Sequence, residues 1–168
     1  GIAANVFTPI GPLSWTLSQA ITKASTDQTE TFNFNIVALT DVKNRRGQYM
    51  VKWKYNVGST SSRWRKIALP TGRGVPGAVM KSGKTMVVQD ISETEIAMSL
   101  FRYPILRMEH LKSFIAFPIW NDDEEVIGIL LMGNRRERAF TDTEYKAIKQ
   151  YVETTLRQQI LKELMVNE

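Results

Sequence analysis

From Tyr49 to Val57 the sequence alternates: Tyr49, Val51, Trp53, Tyr55 and Val57 fall on one side of an extended chain, and Met50, Lys52, Lys54 and Asn56 on the other. A period of two is the mark of a half-buried β-strand. The segments Ser113–Trp120 and Val126–Gly133 are also strand-like, and the polar turn Asn121-Asp122-Asp123-Glu124 between them makes them a hairpin. Phe34, Ile36 and residues 37–39 supply another strand, Met86–Val88 a short one, and residues 64–69 a further extended piece. Strands that follow one another closely pair antiparallel, so the sheet expected is antiparallel rather than doubly wound and parallel.

Helical spacing appears at both ends. Residues 12–29 place Leu13, Leu17, Ala20 and Ile21 on one side, with Pro12 suited to a first turn that needs no N–H. Thr141-Asp142-Thr143-Glu144 is a capping box opening a long helix, whose stripe is Tyr145, Ile148, Val152, Leu156, Ile160 and Leu164. Between them, residues 71–77 form a glycine-rich turn leading into a short helix over 78–81, stopped by Gly83. Ser92, with Glu95 three residues on, has the capping-box pattern for a helix over 92–101, and residues 105–111 restart one after Tyr103-Pro104. The fold class expected is α+β, an antiparallel sheet with helices on both faces. Residues 1–31 carry an N-terminal helix and 32–168 the rest, one domain overall. Gly1 reads as a cloning remnant, so the natural chain is expected to begin elsewhere or to be longer.

Composition removes whole classes of chemistry. The chain has 168 residues, 43% of them hydrophobic, enough for one core. It has no cysteine, which excludes disulfides, thiolate metal sites and thiol catalysis, and a reducing cytoplasm is the expected home. The single histidine, His110, has no Ser/Asp context of a nucleophile and its base, and reads as a surface or capping residue. No metal site and no enzymatic activity are expected. The net charge is +5, with basic residues clustered at Arg45-Arg46, Arg63/Arg65/Lys66, Arg102/Arg107/Lys112 and Arg135/Arg136/Arg138. Solvated loops account for these, and nothing resembles a nucleic-acid-binding signature. No apolar run is long enough to span a membrane.

The segments Gly72-Arg73-Gly74-Val75-Pro76-Gly77-Ala78-Val79, Ser82-Gly83-Lys84 and Val87-Val88-Gln89-Asp90-Ile91 resemble the centre of GAF domains. So do Ser113-Phe114-Ile115-Ala116-Phe117-Pro118-Ile119, Val126-Ile127-Gly128-Ile129-Leu130 and the closing Arg138-Ala139-Phe140-Thr141-Asp142-Thr143-Glu144. The resemblance runs over roughly residues 32–159. Bilin-binding members need an attachment cysteine or a chromophore-contacting histidine, and the cysteine is missing; GAF-type methionine-sulfoxide reductases need catalytic cysteines, also missing. The Asn-Lys signature of cyclic-nucleotide members is also missing. A finer resemblance lies in Phe101-Arg102-Tyr103-Pro104-Ile105, followed by Glu109 and residues 111–113, which look like the nitrate-receptor GAF proteins of the NreA type. That resemblance implies an anion held mainly by backbone N–H groups, with ligand-binding candidates Trp53, Val75, Pro76, Tyr103, Pro104 and Ile105. Pro76 departs from such a role if an N–H is required there.

The residues themselves suit a small anion. Pro76 and Pro104 sit where a proline opens a short helix, and helix N-termini present unpaired N–H groups and a positive dipole end. The indole N–H of Trp53 is a further donor without an acceptor. Val75, Ile105 and Phe117 are expected to form dry walls. The expectation is a small-molecule sensor that binds an anion such as nitrate, with no other cofactor. It would form a homodimer and regulate a sensor histidine kinase or a downstream domain. The alternative is a ligand-free GAF module for dimerisation. Nucleic acid and membrane are not expected partners.

Overall fold

The computed structural model describes residues 11–22, 32–42, 44–45, 48–70 and 72–166. Helix α1 (Gly11–Thr22) leads to β1 (Ile36–Asp41), β2 (Asn44–Arg45) and β3 (Gln48–Val57). A 3₁₀ turn (Ser62–Lys66), β4 (Ala68–Pro70), α2 (Gly74–Ser82) and β5 (Met86–Val88) follow. Two 3₁₀ segments (Ile91–Glu93 and Glu95–Arg102) precede α3 (Pro104–Met108), β6 (Ser113–Trp120) and β7 (Val126–Asn134). Helix α4 (Asp142–Tyr151), a π-helical turn (Val152–Leu156) and α5 (Arg157–Val166) close the chain.

The strands form one sheet in the order β2-β3-β1-β7-β6-β5, with β4 also on β3, and every pairing is antiparallel. The α+β expectation stands. Each face of the sheet is buried under its own helices. One face, carrying Ile36, Ala38, Trp53, Phe114, Ala116, Ile129 and Leu131, packs against the short central helices and 3₁₀ turns through Trp64, Val75, Val79, Ile96, Ile105 and Leu106. The other, carrying Val37, Leu39, Ile115, Phe117, Leu130 and Met132, packs against the terminal helices through Leu13, Leu17, Ile148, Leu156 and Ile160.

The terminal stripe explains its own irregularity. Ile148, Val152, Leu156, Ile160 and Leu164 recur every fourth residue and are all buried. At about 100° per residue, a straight α-helix would rotate such a stripe away from the sheet by about 40° at each step. The wider π turn at Val152–Leu156 absorbs this drift. The expected capping box is present, with the Thr141 hydroxyl accepting from the Glu144 amide and Glu144 accepting from the Thr141 amide.

Several local expectations change. Asn44 and Arg45, expected in a turn, pair with β3 as strand β2; the first helix is described to Thr22, and residues 23–31 and 46–47 lie outside the described residues. Residues 62–66 wind as a 3₁₀ turn, leaving only Ala68–Pro70 extended. The 92–101 segment is 3₁₀ rather than α and falls in two pieces: Asp90 caps the first, its side chain accepting from the Ser92 amide, and the second, Glu95–Arg102, follows Thr94 with no side-chain cap. Ser92 is therefore inside the turn rather than its cap. Helix α2 begins at Gly74, four residues ahead of Ala78.

Candidate ligand site

Strand β3 supplies the centre of the site, and it does so through an interruption of its own pattern. Trp53 pairs opposite Thr40 and Tyr55 opposite Leu39, which leaves Lys54 as an extra residue on β3. This β-bulge exchanges the two faces from that point on. Val51 and Trp53 lie in the cluster beneath the central helices, whereas Tyr55 and Val57 pack with the cluster under the terminal helices. The Tyr55 hydroxyl donates to Glu163 Oε1 on α5 at 2.6 Å. Burial first, and then this carboxylate, push the Tyr55 hydroxyl pKa above its ordinary value. Asn56, opposite Ala38, turns to the Trp53 side. The unbroken alternation expected for residues 49–57 is thus corrected. Tyr55 and Val57 do not share Trp53's face, and Asn56 does.

Helix α2 reaches the same cluster because its start is glycine. Gly74 has φ +67°, and a Cβ on Gly77 would stand 2.2 Å from the Gly72 carbonyl carbon. Glycine at both positions lets the helix begin within the tight turn. The Gly77 N–H donates to the Arg73 carbonyl at 3.0 Å, and Pro76 has no N–H, so the Gly74 and Val75 amides precede the helical ladder. Pro76 is the third helical residue rather than the first. Pro104 does open α3. The first rung there is the Arg107 N–H to the Tyr103 carbonyl at 3.2 Å, so the Ile105 and Leu106 amides stand ahead of it.

Helix α3 is anchored at its far end by Glu109, which is 1% exposed. Glu109 Oε1 accepts from Arg135 Nη2 at 2.6 Å and from the Thr60 amide at 3.1 Å, while Oε2 accepts from Ser59 Oγ at 2.5 Å. Arg135 Nε also donates to the Glu109 carbonyl at 2.9 Å. A buried carboxylate with this many donors fixes the short helix against the turn that follows β3. His110, just beyond, is exposed with φ +54°, the surface role expected of it.

Of the residues expected in the site, Trp53, Val75 and Ile105 meet in one cluster, with Tyr103 packed at its edge. Pro76 is buried in α2, and Pro104 is half-buried at the head of α3. Phe117 is not a wall of this site. The alternation of β6 sends Phe114 and Ala116 to the Trp53 face, and Ile115, Phe117 and Ile119 to the opposite one.

Three of the four buried side-chain polar atoms without a partner among the described residues lie on β3 at the Trp53 face; the fourth is Gln159 Oε1 on α5. The indole Nε1 of Trp53, and both Nδ2 and Oδ1 of Asn56, are buried without a hydrogen-bond partner. Burying such groups unpaired costs roughly 1–3 kcal/mol each. Polar atoms of this kind, grouped on one sheet face, are unmet demand for a polar occupant. Sequence reading missed Asn56. Its signal was an asparagine inside a strand, where that residue is disfavoured, but the expected alternation assigned it to the wrong side. Two hollows among the described residues lie elsewhere. One of about 690 Å³ is lined by Lys84, Trp120, Tyr145, Lys149 and Arg157, and one of about 270 Å³ by Asn33, Arg136, Arg138 and Glu144.

Residues 16–155 match the family model described as GAF domain. The chain belongs to the GAF family. A comparison with curated proteins returns no match. Among solved structures, this GAF domain is similar to a mutated NreA protein from Staphylococcus aureus, altered in its nitrate binding site. The two are 32% identical over 65% of this chain and 78% of that one, with a TM-score of 0.59. A hypothetical protein from S. aureus is equally similar, at 32% identity over 65% of this chain and 87% of that one, TM-score 0.59. The GAF domain of an Acinetobacter phosphoenolpyruvate-protein phosphotransferase covers more, 99% of this chain and 92% of its own, at 14% identity and a TM-score of 0.65. That likeness is one of fold alone. The GAF fold also carries enzymes, a free methionine-R-sulfoxide reductase from Thermoplasma acidophilum among the structural matches. This chain has no cysteine for thiol chemistry. No helix among the described residues is long and apolar enough to cross a membrane.

Proposed function

We propose that this GAF domain is a non-catalytic sensor of a small planar oxyanion, bound on the Trp53 face between the starts of α2 and α3. The observation that carries this reading is the buried, unpartnered indole N–H of Trp53, in one cluster with Val75 and Ile105. The amides that precede the α2 and α3 ladders add donors without a cationic side chain. Neutral donors in an apolar surround suit a weakly hydrated monoanion better than phosphate, which calls for paired Arg or Lys. The resemblance to NreA makes nitrate the first candidate. Hydrogen bonds to a charged group contribute about 1.5–3 kcal/mol each, so three or four give roughly micromolar affinity.

The output is proposed to be regulation of a cytoplasmic signalling partner, a sensor kinase or a downstream domain, by a shift in population between two states of the domain. Self-association through the terminal helices is part of this proposal, supported by the exposure of Trp15 (58%) and Met165 (46%). Exposed apolar side chains of this size mark interaction surfaces when they cluster.

Titration calorimetry with nitrate, nitrite, iodide and chloride tests the reading. At least one of these anions is expected to bind, and Trp53→Phe is expected to weaken that binding roughly ten- to hundredfold, the value of one charged hydrogen bond. Binding that is indifferent to Trp53→Phe, or no response to any anion, leaves the domain a dimerisation module.

A further inference from the structure

We infer that Asn56 is a specificity-determining residue of the same site, and that the preferred ligand is a small oxyanion carrying a hydrogen of its own, of the hydrogencarbonate class. This inference rests on the anion-site reading above and deepens it. Trp53 and Asn56 pair with Thr40 and Ala38, two residues apart along β1. They therefore stand about 7 Å apart on one sheet face, within the span of two side chains that share a small ligand.

The bulge at Lys54 is what brings them together. Without it, a residue three positions after Trp53 would point to the opposite face. Of the unpaired side-chain atoms on this face, Trp53 Nε1 and Asn56 Nδ2 are donors. Asn56 Oδ1 is different, because it is an acceptor with nothing to accept. Nitrate offers only lone pairs. It answers every donor but sets an oxygen against Asn56 Oδ1 or leaves that atom dry. Hydrogencarbonate has the same planar three-oxygen shape and one O–H. Two of its oxygens accept from the donors, and its hydroxyl donates to Asn56 Oδ1. A site built to pair a substrate O–H discriminates strongly against the analogue that lacks it, because its own polar group is then left unpaired.

The test is calorimetric titration of sodium hydrogencarbonate and sodium nitrate into the full chain, at mildly alkaline pH where hydrogencarbonate is the main carbonate species. Wild type, Asn56→Leu and Trp53→Phe are compared. Wild type is expected to bind hydrogencarbonate at least about tenfold more tightly than nitrate. Asn56→Leu is expected to abolish the preference by weakening hydrogencarbonate and leaving nitrate nearly unchanged, whereas Trp53→Phe weakens both. A wild type that prefers nitrate overturns the assignment without recourse to any variant. So does a folded Asn56→Leu protein that keeps the preference. In both cases the anion site on Trp53 still stands. Failure of wild type to bind either anion overturns the anion site and the role of Asn56 together.

Discussion

The two faces of the sheet solve the burial problem differently. Beneath the terminal helices the packing is continuous from Leu13 and Leu17 through Val37 and Leu130 to Ile160. The polar group that enters it from β3, the Tyr55 hydroxyl, has Glu163 to bond. Beneath the central helices the elements are short, their ends are glycine and proline, and three side-chain atoms of β3 are buried unpaired. On the terminal-helix side the one buried side-chain polar atom without a partner among the described residues is Gln159 Oε1 on α5, whereas β3 alone holds three on the other face, donors and an acceptor kept at some cost in stability.

Substitutions can test that contrast. The largest effect is expected from Leu156→Ala, which empties a fully buried position on the terminal-helix face. It should lower the unfolding free energy by about 2–5 kcal/mol in a urea titration. Arg135→Met should cost about 3 kcal/mol, the low end for stranding a buried carboxylate, because Glu109 then loses its charged partner. It should also loosen α3, seen as faster exchange of the bonded amides of Arg107, Glu109 and Leu111. Trp53→Phe in the anion-free protein is expected to change stability by less than about 2 kcal/mol, since removal of an unpaired buried N–H offsets part of the lost volume. A loss as large as that at Leu156 would show that both faces are simple core.

The smallest effect concerns the helix that starts the stable face. Thr141→Ala removes the cap and should cost about 1 kcal/mol by thermal melting. Glu144 in the same box has a titration signature. Burial works to raise its carboxyl pKa, but the Thr141 amide and hydroxyl, together with Arg138, outweigh burial and hold the pKa below the usual carboxylate value. Its contribution is therefore present above the unfolded-state pKa and is lost as pH falls through the lower folded one. Glu144→Gln should flatten the acid limb of the stability profile and leave the alkaline limb unchanged.

The architecture was legible because alternation and helical stripes report burial directly. Residues such as Ile115, Leu130, Ile148 and Leu156 are where their spacing puts them. The capping box at Thr141 was legible for the same local reason. Less visible were features set by tertiary pairing. Nothing in the run from Tyr49 to Val57 marks Lys54 as unpaired, since the bulge depends on the register with β1. The start of α2 at Gly74 was hidden because a run rich in glycine and proline reads as loop, whereas here close approach to Gly72 demands those glycines. The indole of Trp53 was identified as a donor from its chemistry alone. Its missing partner became visible only with the fold.

The bulge at Lys54 has one more consequence. It makes Lys54 the spare length of β3. Deleting Lys54 would close the bulge and leave Trp53, Tyr55 and Asn56 opposite Thr40, Leu39 and Ala38 in plain alternation, so that Tyr55 would keep its side of the sheet toward Glu163 and Asn56 its own. The extra residue thus lets a recognition element and a structural tie sit on opposite sides of one strand without an equal lengthening of its partner.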